Sequence, residues 1–205
     1  MSRRRSKNSY KSGDHFNKAA REEGYRARSV YKLTEVQKRF RPLKKGQTIL
    51  DLGCAPGSWA RYAKEMAGGK GTVVGIDLQH VPSLPGVELI QGDAFEITPE
   101  ELLAALGGPA DVVLSDMAPN TTGDRFGDHV RQVEVARRAL KLAVSVLKPG
   151  GSFICKVFDG EDAQPFMLEA RAHFKQVKRL RPEAVRKNSV EFFLVALDFR
   201  PASES

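Results

Sequence analysis

The sequence predicts an α/β protein, with a mostly parallel sheet, helices on both of its faces and an antiparallel strand pair at the C-terminal end. Three observations predict it. Five short apolar runs alternate with segments of helical spacing, as strands do when helices cover a sheet on both sides. A glycine-bearing turn, "DLGCAPGSW" at 51–59, joins the first run to a helix. The chain then ends on two strand-like runs with no helical pattern behind them. At 205 residues it has the length for one large core, so residues 1–20 read as a basic tail and 21–205 as a single domain.

Each element follows from its local pattern. Residues 26–40, "RARSVYKLTEVQKRF", bring Val30, Leu33, Val36 and Phe40 near one helical face, and Pro42 and Gly46 stop that helix. The five runs are Thr48–Leu52, Thr72–Asp77, Val87–Gln91, Asp111–Ser115 and Ser152–Val157. Helical spacing lies between them, as at Trp59–Met66 and Val130–Leu147, and ends in "GG" or "KPGG". "KQVKRL" and "SVEFFLVALDF" form the closing pair.

Composition narrows the function. Hydrophobic residues make up 41% of the chain, and no apolar run approaches membrane length. The basic start has no apolar segment behind it, so it is no secretory signal, and Asp14 argues against a transit peptide. Cys54 and Cys155 lack metal-ligand spacing and fall beside strand ends, as buried reduced thiols of a cytoplasmic protein would. The net charge of +8 is unevenly placed. Residues 1–45 hold fifteen Lys/Arg against four Asp/Glu, and residues 171–187 hold seven against one, which leaves the remainder acidic. Two basic segments on an acidic domain point to a polyanion, a nucleic acid, and not to a membrane. "SRRRSKNSYKSG" reads as disordered until bound, and a monomer is expected.

Ligands of such sheets bind beyond the carboxyl ends of the strands. Four acids fall there: Asp51 and Asp77 end the first two strands, and Asp93 and Asp116 follow the next two. Singly, each reads as a turn or helix-capping residue. Together they read as a site. Gly53 and Gly57 shape the first turn, but the order Gly53, Ala55, Pro56, Gly57 is not the G-x-G-x-x-G of a dinucleotide site. Asp77 stands 20 residues beyond Gly57, where a carboxylate accepts ribose hydroxyls, and Asp93 suits an adenine amino group. Asp51 and Asp116 would flank a positive centre. A nucleoside with a cationic tail is S-adenosylmethionine. The alternative, a nicotinamide dehydrogenase, is weakened by the missing third glycine and by the acids.

Two charges interrupt strands that should be buried. Lys156 lies within "GSFICKVF", and Glu191 shares a strand face with Phe193, Val195 and Leu197. An unpaired charge there costs several kcal/mol, roughly, so the two are expected to face each other or to line a cleft. Lys32, by itself, reads as one solvated lysine on a basic helix.

The segments "GYRARSVYKL", "DLGCAPGSW", "GIDL", "GDAF", "DVVLSDMAPNTTG", "CKVF" and "RKNSVEFFLVA" resemble the FtsJ/RrmJ family of ribosomal RNA ribose 2′-O-methyltransferases over nearly the whole chain. The resemblance implies a Rossmann-like S-adenosylmethionine-dependent methyltransferase fold and a catalytic tetrad on Lys32, Asp116, Lys156 and Glu191, with Lys156 taking or steering the proton. It implies cofactor contacts at Gly57, Trp59, Asp77, Asp93 and Asp116, no metal, and a uridine of large-subunit rRNA as acceptor. A tRNA anticodon loop or a messenger cap ribose is the alternative substrate. Cys54 and Ser58 stand where Ala and Gly are common in the family. An amino-directed methyltransferase would want an N/D-P-P-aromatic stretch, which "DMAPN" lacks. A silent RNA-binding relative would not need all four tetrad positions.

Overall fold

Helix α1 (Val30–Phe40) precedes a seven-stranded sheet with strands β1 (Thr48–Leu52), β2 (Thr72–Asp77), β3 (Glu88–Gln91), β4 (Ala110–Ser115), β5 (Leu147–Phe158), β6 (Phe174–Leu180) and β7 (Glu191–Phe199). Helix α2 (Ser58–Ala67) joins β1 to β2, and α3 (Pro99–Leu106) joins β3 to β4. Helix α4 (Arg125–Val146) joins β4 to β5, and α5 (Ala163–His173) joins β5 to β6. The computed structural model describes residues 18–20, 22–119, 123–183 and 189–201. The expected tail thus lies outside the described residues up to position 17.

The strands run in the order β3-β2-β1-β4-β5-β7-β6. All pairs from β3 to β5 are parallel, and β7 runs antiparallel to both β5 and β6. Inserting β7 between β5 and β6 brings the start of β7 to the same edge of the sheet as the carboxyl ends of β4 and β5. That topology decides where Glu191 goes.

Strict alternation builds the two cores. Leu50, Leu52, Val113, Phe153, Phe192 and Leu194 face the layer made by α3, α4 and α5. Ile49, Val112, Leu114, Ile154, Phe193 and Val195 face α1 and α2. Both sheet faces are buried, which is why these strands read as continuous apolar runs. Fully burying one such large side chain contributes roughly 1.5–3 kcal/mol.

Three boundaries differ by several residues from the sequence pattern, one being α4, which begins at Arg125 rather than Val130. The first helix begins at Val30 rather than Arg26, because residues 25–29 instead bond to the α2 region. Strand β5 begins at Leu147 and absorbs "KPGG", with a register shift against β4 and Gly150 at φ +79°. Helix α3 starts at a capping box in which the Thr98 hydroxyl accepts the Glu101 N–H and Glu101 accepts the Thr98 N–H.

Candidate active site

The carboxyl ends of β1, β2 and β4 border a cleft of about 570 Å³. Its lining includes Gly53, Asp77, Leu78, Asp93, Phe95 and Asp116. Gly53 has φ +74°, and a Cβ there would lie 2.5 Å from Met117 Cγ and 3.0 Å from Met117 Cα. Only glycine lets the turns after β1 and β4 touch. Asp77 is held rigidly, Oδ2 accepting the Ala55 N–H at 2.9 Å and Oδ1 the Gln79 N–H at 2.8 Å. Asp93 Oδ1 accepts the Phe95 N–H at 2.8 Å. Each bonded oxygen keeps a second lone pair for a ligand. Leu78 and Phe95, the residues after Asp77 and two after Asp93, are unusually exposed at 66% and 49%. An apolar wall beside two carboxylates suits a planar group edged with hydroxyls and amines.

Asp51, Gly57 and Trp59 do not line the cleft. Gly57, at φ +103°, starts α2 where a Cβ would meet Leu84 Cδ1 at 2.8 Å. Trp59 is a core side chain, its ring 5.5 Å from that of Phe193 and its Nε1–H donating to the Ser29 carbonyl at 2.8 Å. It underpins the tetrad described below and is not a wall of the cleft.

Asp51 is completely buried, and neither of its oxygens has a hydrogen-bond partner among the described residues. Burial, then the nearby carboxylates of Asp116 and Asp77, push its carboxyl well above the ordinary range. A raised folded-state value means stability that is full below the unfolded value, near 4, and lost as pH rises through the folded one. Asp51→Asn mimics the protonated form and escapes that loss. The ligand-free variant should match the protein near pH 4 and exceed it increasingly in Tm as the pH is raised toward 8. Thermal melts showing the same difference at every pH would refute this.

The four tetrad positions converge on one sheet face. Lys156 and Glu191 share it, as the register Lys156↔Phe193 requires, but they are not each other's partners. Lys156 Nζ lies 3.1 Å from Asp116 Oδ1 and donates to the Asp116 carbonyl at 2.6 Å, while Lys32 Nζ lies 2.5 Å from Glu191 Oε1. The expected Lys156–Glu191 contact is therefore replaced by two separate pairs. The reason is α1, which lies over this face and brings Lys32 to the diagonal neighbour. Phe193 sits between them, with Lys32 Nζ 5.7 Å from its ring centroid. All four side chains keep 8–19% exposure, a cluster open at one side rather than a sealed core pair. Asp116 belongs to both places: it lines the cleft and holds Lys156.

Residues 25–29 explain how Lys32 is placed. Arg26 donates to the Pro56 and Pro82 carbonyls, and the Ala27 N–H donates to Ser58 Oγ at 2.8 Å. Ser58 thus anchors the segment leading into α1. Nothing in the linear pattern shows that contact.

Among the described basic residues of 171–187, Arg179 is tied down. It pairs with Asp159 and stacks 4.0 Å from the Phe192 ring, and it holds the Asp159 carboxyl below its usual range. Lys175 and Lys178 are exposed. Lys178 aligns with Val195 and so lies on the tetrad's face, whereas Arg186 is outside the described residues. No helix among the described residues is long and apolar enough to cross a membrane, and no three His, Cys, Asp or Glu converge as a metal group.

A model of FtsJ-like methyltransferases matches residues 25–199. The chain belongs to the FtsJ-like methyltransferase family. It is 47% identical over 196 residues to the ribosomal RNA large subunit methyltransferase E of Desulfatibacillum aliphaticivorans, covering 95% of this chain and 93% of that one. Its namesake from Desulfosudis oleivorans is 49% identical, with 90% of each chain covered. A crystal structure from Plasmodium falciparum, provisionally described as a ribosomal RNA methyltransferase, superposes with a TM-score of 0.77 at 28% identity. It covers 85% of this chain and 98% of that one. The Rossmann-like fold and the methyltransferase family expected from the sequence are both present. Within this FtsJ-like chain, the cleft and the ion-pair cluster meet at one residue, Asp116.

Proposed function

We propose that this FtsJ-like methyltransferase transfers the methyl group of S-adenosylmethionine to a ribose 2′-hydroxyl, that of a uridine in large-subunit rRNA, acting in the cytoplasm. The observation that carries the reading is the shared Asp116, which joins a nucleoside-sized cleft to two partly exposed lysine–carboxylate pairs. The names of the bacterial relatives support the choice of RNA.

The residues fit that cofactor. Asp77 and Asp93 present carboxylate lone pairs beside the apolar Leu78 and Phe95, as a purine nucleoside requires. Asp116, a carboxylate in the lining of the cleft, favours a cation over a phosphate. When bound, S-adenosylmethionine supplies a methyl group on a good leaving group. The protein must then deliver an aligned oxygen. Lys32, fixed by Glu191, donates to that oxygen and orients it. Lys156 Nζ, seated on Asp116, first gives up one proton to solvent and then, as the neutral amine, takes the hydroxyl proton as the oxygen–carbon bond forms. Alignment contributes up to roughly 7–11 kcal/mol, against a few for the proton transfer. Lys178 and the basic residues before α1 suit RNA phosphates.

Methylation of the 2′-oxygen blocks alkaline cleavage at the neighbouring phosphate. With methyl-labelled cofactor and large-subunit rRNA, label should be recovered after alkali in a dinucleotide that retains its phosphodiester. Label in a mononucleotide would place the methyl group on a base and overturn the reading.

A further inference from the structure

Gln132 is a polar side chain with no exposure at all, on the α4 face that otherwise packs Val133, Ala136, Ala139 and Ala143 against the sheet. A buried amide costs free energy unless bonded, so its partners matter. Its Nε2 donates to the Met117 carbonyl at 3.1 Å and to the Lys156 carbonyl at 3.3 Å. The β4–β5 ladder ends at Ser115↔Cys155, one residue short of Asp116 and Lys156. There the strands part to open the cleft, and their next carbonyls lose ladder partners. The Gln132 amide stands where the following rung would be. Its orientation is fixed, since the flipped amide would set Oε1 against two carbonyl oxygens.

The bonds close a ring. Lys156 Nζ grips the Asp116 carbonyl on one face of the sheet. On the other face Gln132 grips the adjacent Met117 carbonyl and the carbonyl of Lys156 itself. The Cys155 thiol also donates to the Lys156 carbonyl, at 3.3 Å, but from the next residue along the same strand, so it cannot tie β5 to β4. We propose that Gln132 is a positioning residue, an amide clip that sets the spacing of β4 and β5 and thereby seats Lys156 Nζ on Asp116. This rests on the reading of that pair as the transfer centre.

Gln132→Met keeps length and volume but removes both donors. Its kcat should fall about 10-fold or more, because misplacement by a fraction of an ångström is felt in an aligned transfer. KM for RNA and the calorimetric Kd for S-adenosylmethionine should stay within threefold, at a temperature well below the variant's unfolding midpoint. A merely structural residue would lower Tm without this split. The double variant with Lys156→Ala should be no slower than Lys156→Ala alone, since the clip acts only through Lys156. An unchanged kcat, or a loss that adds fully to that of Lys156→Ala, would overturn the proposal. If the methionine variant does not fold, Gln132→Asn, whose shorter arm cannot span both carbonyls, carries the same cycle with the same deciding outcomes. Full activity of Lys156→Ala would instead overturn the reading of the transfer centre, so the two failures are distinguishable.

Discussion

Lys156→Ala should lower turnover about 10²-fold or more while changing S-adenosylmethionine affinity less than tenfold. The asymmetry follows from where the side chain lies. Lys156 projects from β5 onto Asp116, whereas the cleft is walled by residues after β1, β2, β3 and β4. Truncation removes the proton acceptor and leaves the Asp116 carboxylate facing the cleft without its cation. A more negative cleft should not weaken a cationic cofactor. Lys156→Arg separates charge from proton transfer. A guanidinium keeps the positive charge but does not give up its proton near neutral pH, so this variant should fail almost as badly. Single-turnover kinetics at saturating cofactor, with calorimetry of the same variants, makes the comparison. An arginine variant with near-full activity would leave electrostatic steering as the role of Lys156.

Much of this was legible in the chain because strand periodicity is rigid. Lys156 could be flagged since a lysine in a doubly covered strand violates the burial that its neighbours Ile154 and Val157 define. Parity also placed Glu191 on the same face. Parity does not choose partners across a face, though, and here α1 decides, bringing Lys32 to Glu191 and leaving Lys156 to Asp116. Lys32 could not be singled out by pattern, because the contacts that seat its helix run from Ala27 to Ser58 and from Trp59 to Ser29. Asp77, Asp93 and Asp116 were legible as strand-end acids, and the cleft brings them together. Trp59 is expected at the cofactor by resemblance, and its indole is satisfied within the core. Gln132 carries the same signal as Lys156, a polar residue on an apolar face, at helical rather than strand spacing. A search for charges alone passes over it.

Replacing the target nucleotide of the RNA by its 2′-deoxy form should abolish methylation, a loss of at least about 10³-fold, while RNA affinity changes little. The substitution deletes one oxygen and leaves every base edge and every phosphate in place. Phosphate contacts supply most of the affinity and its salt dependence, so the log–log salt slope should be unaltered. At most the hydrogen bonds to Lys32 and Lys156 are lost, each worth about 0.5–1.5 kcal/mol. What disappears is the nucleophile itself, and no rearrangement of Lys32, Lys156 or their carboxylates can supply another. The same deoxy substitution one nucleotide away should leave turnover within a few-fold, which separates loss of the acceptor from a change in sugar conformation along the strand. Methylation persisting on the deoxy target would move the acceptor to a base. The lysine–carboxylate pairs would then have to orient an amine or ring nitrogen, a task for which an aromatic clamp beside Asp116 would be needed. Among the described residues, those that line the cleft after that aspartate are Met117, Ala118 and Pro119, none of them aromatic.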